Sequence, residues 1–82
     1  MTKYEENAIR LKLEYLNKQI EIWQNYREQG SNDRTYDLTC SAKILEATAE
    51  LEGMTYVLDV LGYSVEKITT KNDFVVDILS KS

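Results

Sequence analysis

The sequence predicts a mainly α fold, in which two long helices form an antiparallel hairpin and a short C-terminal segment follows. Apolar residues recur at steps of three and four over residues 3–29 and again over residues 34–62, and about four polar residues separate the two runs. After position 62 the chain becomes rich in β-branched residues, which is typical of strands. We therefore expect one domain over residues 1–82, with helices at 3–29 and 34–62 and a C-terminal appendage at 63–82.

The first helix has a start signal, an apolar stripe and a stop signal. Thr2 and Glu5 have the spacing of a capping box, in which each side chain hydrogen-bonds to the backbone N–H of the other residue. Gly30 is a natural residue to end the helix. Between these signals the apolar residues follow steps of four, three, four and three, the pattern of a packed helix seam. This first seam consists of Ile9, Leu13, Leu16, Ile20 and Trp23.

The second helix repeats the same pattern over about three heptads. Asp33 or Thr35 is its expected N-cap, and Gly62 is its expected end. Gly53 inside the run costs ~1 kcal/mol relative to alanine, which close packing or a bend would explain. Because the connection is short, the two helices should lie antiparallel with their seams facing each other. The second seam consists of Cys40, Ile44, Ala47, Leu51, Met54, Leu58 and Leu61.

The appendage is predicted as a β-hairpin in preference to a third short helix. Phe74, Val76 and Ile78 alternate with other residues, and residues 71–73, Lys-Asn-Asp, have the composition of a turn between two strands. A two-stranded hairpin is marginally stable alone, so it should lie on the helices or pair with another chain. The alternative is a short helix capped by Asn72 or Asp73, with an apolar face of Phe74, Val75, Ile78 and Leu79.

Each helix also carries a second apolar stripe that the other helix cannot cover. The appendage can cover one of these stripes, and a second copy of the chain would cover the other, in a four-helix arrangement with twofold symmetry. On the first helix this tyrosine stripe consists of Tyr4, Ala8, Leu11, Tyr15, Ile22 and Tyr26. On the second helix the leucine stripe consists of Leu38, Ala42, Leu45, Ala49, Tyr56 and Val60.

The tyrosine stripe is the leading candidate for a partner-binding surface. Tyr4, Tyr15 and Tyr26 are each 11 residues apart, which is three helical turns within about 20° of rotation. Tyrosine is enriched in interface cores because it joins a large ring to a polar tip. The expected contact residues are Tyr4, Leu11, Tyr15, Ile22 and Tyr26. In the alternative interpretation, the tyrosines flank the core and keep their hydroxyls in solvent.

The residue types that most catalytic and metal sites need are scarce. The chain has no histidine and one cysteine, Cys40, which excludes Ser-His and Cys-His pairs, thiolate zinc sites and internal disulfides. Its three glycines lie too far apart to form a phosphate-binding loop. Cys40 is expected to pack as a small apolar residue. We therefore predict no catalytic residue, no metal, no cofactor and no enzymatic activity.

The net charge of −4 comes from the middle of the chain. Residues 30–62 contain two basic and six acidic side chains, whereas the flanking regions are balanced. Glu46 and Glu50, one helical turn apart, are candidate contacts for a basic partner, although a solvated acidic face explains them more simply. A basic surface for nucleic acid is missing, and no segment resembles a signal peptide or a membrane span. We expect a cytoplasmic protein that binds neither nucleic acid nor membranes.

Two classes of function fit these observations. The first is a small non-enzymatic interaction protein, a helical hairpin that self-associates as a dimer and binds a protein partner. The alternative is an acidic inhibitor encoded by a phage or mobile element, which would block a basic groove of a host protein as anti-CRISPR proteins and nucleic-acid mimics do.

Overall fold

The computed structural model describes residues 1–30, 34–69 and 74–80. Helix α1 runs from Lys3 to Gln29 and helix α2 from Arg34 to Val60. Strand β1 spans Tyr63–Thr69 and pairs antiparallel with strand β2, Phe74–Ser80. The predicted helical hairpin and the predicted C-terminal β-hairpin are both confirmed.

Helix α1 begins and ends where the sequence predicts. The Thr2 hydroxyl accepts a hydrogen bond from the Glu5 backbone N–H at 3.1 Å, and a Glu5 carboxylate oxygen accepts one from the Thr2 backbone N–H at 2.9 Å. The bond from the Thr2 backbone N–H lowers the pKa of the Glu5 carboxyl, because it favours the ionised form. At the other end Gly30 adopts a φ of 74°, a conformation open to glycine at little cost.

Helix α2 begins at residue 34, as predicted, but it ends earlier than predicted. It ends at Val60 rather than at residue 62, and Gly62 takes a φ of 90° in the turn that leads into β1. Leu61 therefore leaves the second seam and is 66% exposed. Of the two N-cap candidates, Thr35 is excluded because it lies inside the helix, and Asp33 lies outside the described residues.

The β-hairpin has an inner and an outer face. Its register pairs Tyr63 with Ser80 and Thr69 with Phe74. Phe74, Val76 and Ile78 are buried, and the residues between them are more exposed, which is the alternation expected of a strand with one packed face. The predicted turn at residues 71–73 lies outside the described residues.

The hydrophobic core lies where the sheet meets the two helical seams. Strand β2 packs on α1 and strand β1 packs on α2. The buried residues of this core are Leu13, Leu58, Phe74, Val76 and Ile78, and the partly buried ones around it are Ile9, Leu51, Met54, Tyr63 and Val65. Cys40 and Ala47 continue the buried seam of α2 toward the other end of the hairpin.

A hydrogen bond also joins β2 to α1. A carboxylate oxygen of Glu14 accepts the backbone N–H of Val76 at 3.0 Å. An unpaired N–H on a strand edge can pair with another strand. Glu14 prevents this at Val76, because its carboxylate already accepts the N–H.

Residues 1–30, 34–69 and 74–80 form two layers, and within these residues one face of the helical hairpin has no sheet on it. The molecule measures 50 × 28 × 19 Å, and its thinnest dimension matches a layer of helices about 10 Å thick with a sheet about 10 Å from it. Lys12 is two residues from Glu14, and two residues turn a helix by about 200°. Because Glu14 contacts β2, Lys12 marks the side of α1 that faces away from the sheet; we name this side of the hairpin the open face.

Candidate interaction surface

The tyrosine stripe is exposed along the whole of α1. Tyr4 is 83% exposed, Tyr15 53% and Tyr26 43%, and Leu11 and Ile22 are exposed between them. Burial of side chains of this size in an interface would contribute a large favourable hydrophobic free energy. The predicted contact residues thus lie together on one accessible surface.

Contacts within the chain restrain several of these aromatic side chains. The Lys12 ammonium lies 5.3 Å from the ring centroid of Tyr15, and Trp23 packs edge-on against Tyr26 with the centroids 5.5 Å apart. The Tyr36 hydroxyl donates to the Tyr26 carbonyl oxygen at 2.9 Å, which ties this end of the stripe to α2. Side chains that are restrained before binding lose less conformational entropy when a partner arrives.

The leucine stripe of α2 is exposed as well. Leu38 is 62% exposed, Leu45 71% and Tyr56 70%. The appendage could have covered one of the two second stripes, but the described strands cover neither. The strands of the β-hairpin instead pack where the seams of α1 and α2 meet, because the apolar side of β2 completes the core around Leu13 and Leu58.

An apolar groove lies between the start of α1 and the end of α2. Its cavity volume is about 780 Å³. Ile9, Met54, Val57 and Leu61 contribute apolar walls, and Gly53 lies among them without a side chain. Glu5 and Glu50 also line this groove, which we name the terminal groove.

Sequence reasoning missed the terminal groove. Its walls come from both helices and from the first residue of β1, and no periodicity in one helix shows such a combination. The only signal was Gly53, which breaks the preference for good helix formers inside α2. We expected close packing to explain this glycine, but outside the local helix backbone and the adjacent residues no atom lies within 4 Å of the position that its Cβ would occupy.

Substitution of Gly53 by alanine is therefore expected to stabilise the fold. The added methyl group meets open space, and alanine favours the helix by about 1 kcal/mol over glycine. For a domain of this size the melting temperature should rise by about 4–8 °C, measured by circular dichroism. An unchanged or lower melting temperature would show that the glycine has a structural role within the chain.

A second, smaller groove joins parts of the predicted site. Tyr15, Glu46 and Glu50 all line it, together with Lys12 and Lys43 on its rim. Tyr4, Leu11, Ile22 and Tyr26 are not among its lining residues. The structure thus brings one predicted tyrosine to both predicted glutamates.

Neither of these glutamates presents an isolated negative charge. A carboxylate oxygen of Glu50 lies 3.3 Å from the Lys12 ammonium, and one of Glu46 lies 3.9 Å from the Lys43 ammonium. All four side chains remain largely exposed, so each pair contributes little to stability. The pairs nevertheless reduce the net charge that this part of the open face offers to a basic partner.

The described residues offer little for metal or nucleophile chemistry. Cys40 is buried and carries no disulfide. Over residues 1–30, 34–69 and 74–80, His, Cys, Asp and Glu side chains do not gather in a group of three that could hold a metal ion. Neither of the two described helices is apolar over a length that could cross a bilayer.

Comparison of the chain with protein-family models, with curated proteins and with solved structures gives no match.

Proposed function

We propose that the chain is a non-enzymatic interaction protein, a helical hairpin that forms a homodimer and binds a protein partner. The amount of exposed surface supports this proposal. The chain exposes 6124 Å², whereas a compact folded chain of 9.5 kDa would expose about 5,000 Å². The excess is roughly 1,000 Å², which is close to the ~800 Å² that each partner buries in a standard protein interface.

The tyrosine stripe is the surface that we assign to self-association. Its five large side chains together expose roughly 550 Å², if a fully exposed side chain of this size presents about 200 Å². This is most of the area that one subunit needs for a stable contact. The large side chains that would fill the interface are Tyr4, Leu11, Tyr15, Ile22 and Tyr26.

We assign the terminal groove to the protein partner. An amphipathic helix suits a long apolar groove, because it can place one row of apolar side chains in it. Glu5 on its lining favours a helix with lysine or arginine beside the apolar row, whereas the Glu50 carboxylate is already paired with Lys12. Glu5 is ionised at neutral pH, since its hydrogen bonds with Thr2 lower its pKa.

The mass in solution tests self-association. Light scattering behind a sizing column, at low micromolar concentration, is expected to give twice the 9.5 kDa of the chain. Burial of the tyrosine stripe would drive this association through the hydrophobic effect. A mass of one chain under these conditions would contradict the dimer.

A pair of substitutions at Gly53 tests the terminal groove. The probe is a synthetic helix with leucine on one face and lysine beside it, and a scrambled peptide of the same composition is its control. We expect Gly53→Leu to abolish binding of the probe because its side chain fills the groove, whereas the smaller Gly53→Ala should retain it. Titration calorimetry measures both, and equal binding by the two variants would exclude the groove as the site.

The acidic inhibitor of phage or mobile-element origin is the other class of function. It rests on the exposed carboxylates of α2, among them Asp37 and Glu52. The lysine partners of Glu46 and Glu50 reduce the charge contrast on which such an inhibitor depends. We therefore favour the dimeric interaction protein.

A further inference from the structure

We infer that two copies of the chain pack their α1 helices antiparallel, about a twofold axis that passes beside Tyr15. This inference rests on the proposed dimer and adds its orientation and register. It follows from the order of large and small residues along the tyrosine stripe, from the sides of α1 that remain free, and from the sizes of the side chains that would meet.

Apolar positions of the tyrosine stripe lie at equal distances on both sides of Tyr15, except that Leu11 has Gln19 as its counterpart. A twofold axis at this residue places each position opposite the position equally far on the other side. Tyr4 then meets Tyr26 of the second copy, because each is 11 residues from Tyr15. Ala8 likewise meets Ile22, because each is 7 residues away. Self-complementarity of this kind is what a twofold interface requires of one surface.

The sizes of the paired side chains favour the antiparallel arrangement over a parallel one. In a parallel pair, Ala8 would face Ala8 and leave a gap, while Ile22 would face Ile22 and crowd the helices. The antiparallel pair places the small residue opposite the large one at both positions, which keeps the spacing of the helices even. Opposed helix dipoles favour the same orientation by a smaller amount.

The rest of the chain leaves this side of α1 accessible. The first seam, which faces α2, is turned by about 130° from the centre of the tyrosine stripe. Strand β2 approaches a different side, where Glu14 accepts the N–H of Val76. Ala8 and all five large members of the stripe are exposed, so a second helix meets no described part of the same chain on its way to them.

Cysteine substitutions with a short thiol-specific cross-linker test the register. Tyr15→Cys alone should give a covalent dimer, because residue 15 of both copies lies at the axis. Tyr4→Cys alone should not, because its two copies lie about 33 Å apart at 1.5 Å per residue. A mixture of Tyr4→Cys with Tyr26→Cys should give a covalent dimer of one chain of each kind. Cys40 is fully buried and should not react.

Two controls separate the register from the dimer itself. Tyr56→Cys is exposed on α2 outside the stripe and should stay uncoupled. In the unmodified chain, photo-oxidation should join Tyr15 to Tyr15 and Tyr4 to Tyr26 as dityrosine, which peptide mass spectrometry identifies without any substitution.

Other outcomes would overturn the inference. Efficient coupling of Tyr4→Cys with itself would show a parallel dimer. A dimeric mass of the unmodified chain without either dityrosine pair would place the interface elsewhere. A monomeric mass would instead contradict the proposed homodimer, on which the inference rests.

Discussion

Replacement of Leu13 by alanine is expected to lower the free energy of unfolding by about 2–5 kcal/mol. Leu13 is fully buried, and it joins α1 to both Leu58 of α2 and the inner face of β2. Truncation leaves a cavity that three elements would have to close together. Small domains have a total stability of about 5–15 kcal/mol, so much of the population should unfold on mild heating.

Denaturant unfolding followed by circular dichroism measures this loss at a fixed protein concentration. Leu45→Ala is the matched control, since Leu45 lies on α2 with 71% of its surface exposed, and its effect should stay within about 0.5 kcal/mol. Leu51, which belongs to the second seam, is only partly buried. Its replacement by alanine should therefore lower the free energy of unfolding by less than Leu13→Ala does. Equal effects of Leu13→Ala and Leu45→Ala would place the core elsewhere.

Substitution of Tyr15 by glutamate is expected to weaken dimerisation at least 100-fold, or about 2.7 kcal/mol. In the proposed dimer the two new carboxylates would face each other at the axis, where like charges repel and lose their hydration. Tyr15 is 53% exposed within one chain, so the fold itself should tolerate the change.

Sedimentation equilibrium of the wild type and the variant measures the difference in dimer affinity. Tyr56→Glu gives the matched control, because it places the same charge on an exposed tyrosine of α2 outside the tyrosine stripe. An unchanged dimer affinity of Tyr15→Glu, with Tyr56→Glu behaving in the same way, would show that the tyrosine stripe does not form the interface.

The helical hairpin could be predicted because its determinants are local. The steps of three and four place the seam residues on one side of each helix, and the capping box and two glycines mark three of the helix ends. The β-hairpin was predictable for a similar reason, since Phe74, Val76 and Ile78 alternate. Leu61 shows where such reasoning stops: it continues the spacing of the seam, but the helix ends one residue before it.

The surfaces were harder to predict, because exposure depends on where the sheet lies. The residues of the tyrosine stripe can be identified from their rotation about one helix. Whether the β-hairpin covers them depends on the tertiary structure and cannot be read from that rotation. The terminal groove requires the ends of two helices and Tyr63 to be placed in three dimensions. The lysine partner of Glu50 is 38 positions away in the chain, so no local spacing could reveal that pair.

The hydrogen bond between Glu14 and Val76 has a consequence for the order of folding. It joins residues 62 positions apart, whereas the Tyr36–Tyr26 bond between the two helices joins residues 10 apart. Loop-closure entropy makes the longer connection more costly by about 1.6 kcal/mol. We therefore expect the helices to meet early, through contacts that are close in sequence, and strand β2 to dock afterwards. Interactions that form after the rate-limiting barrier mainly slow unfolding, so a weaker attachment of β2 is expected to shorten the lifetime of the folded state more than it slows folding.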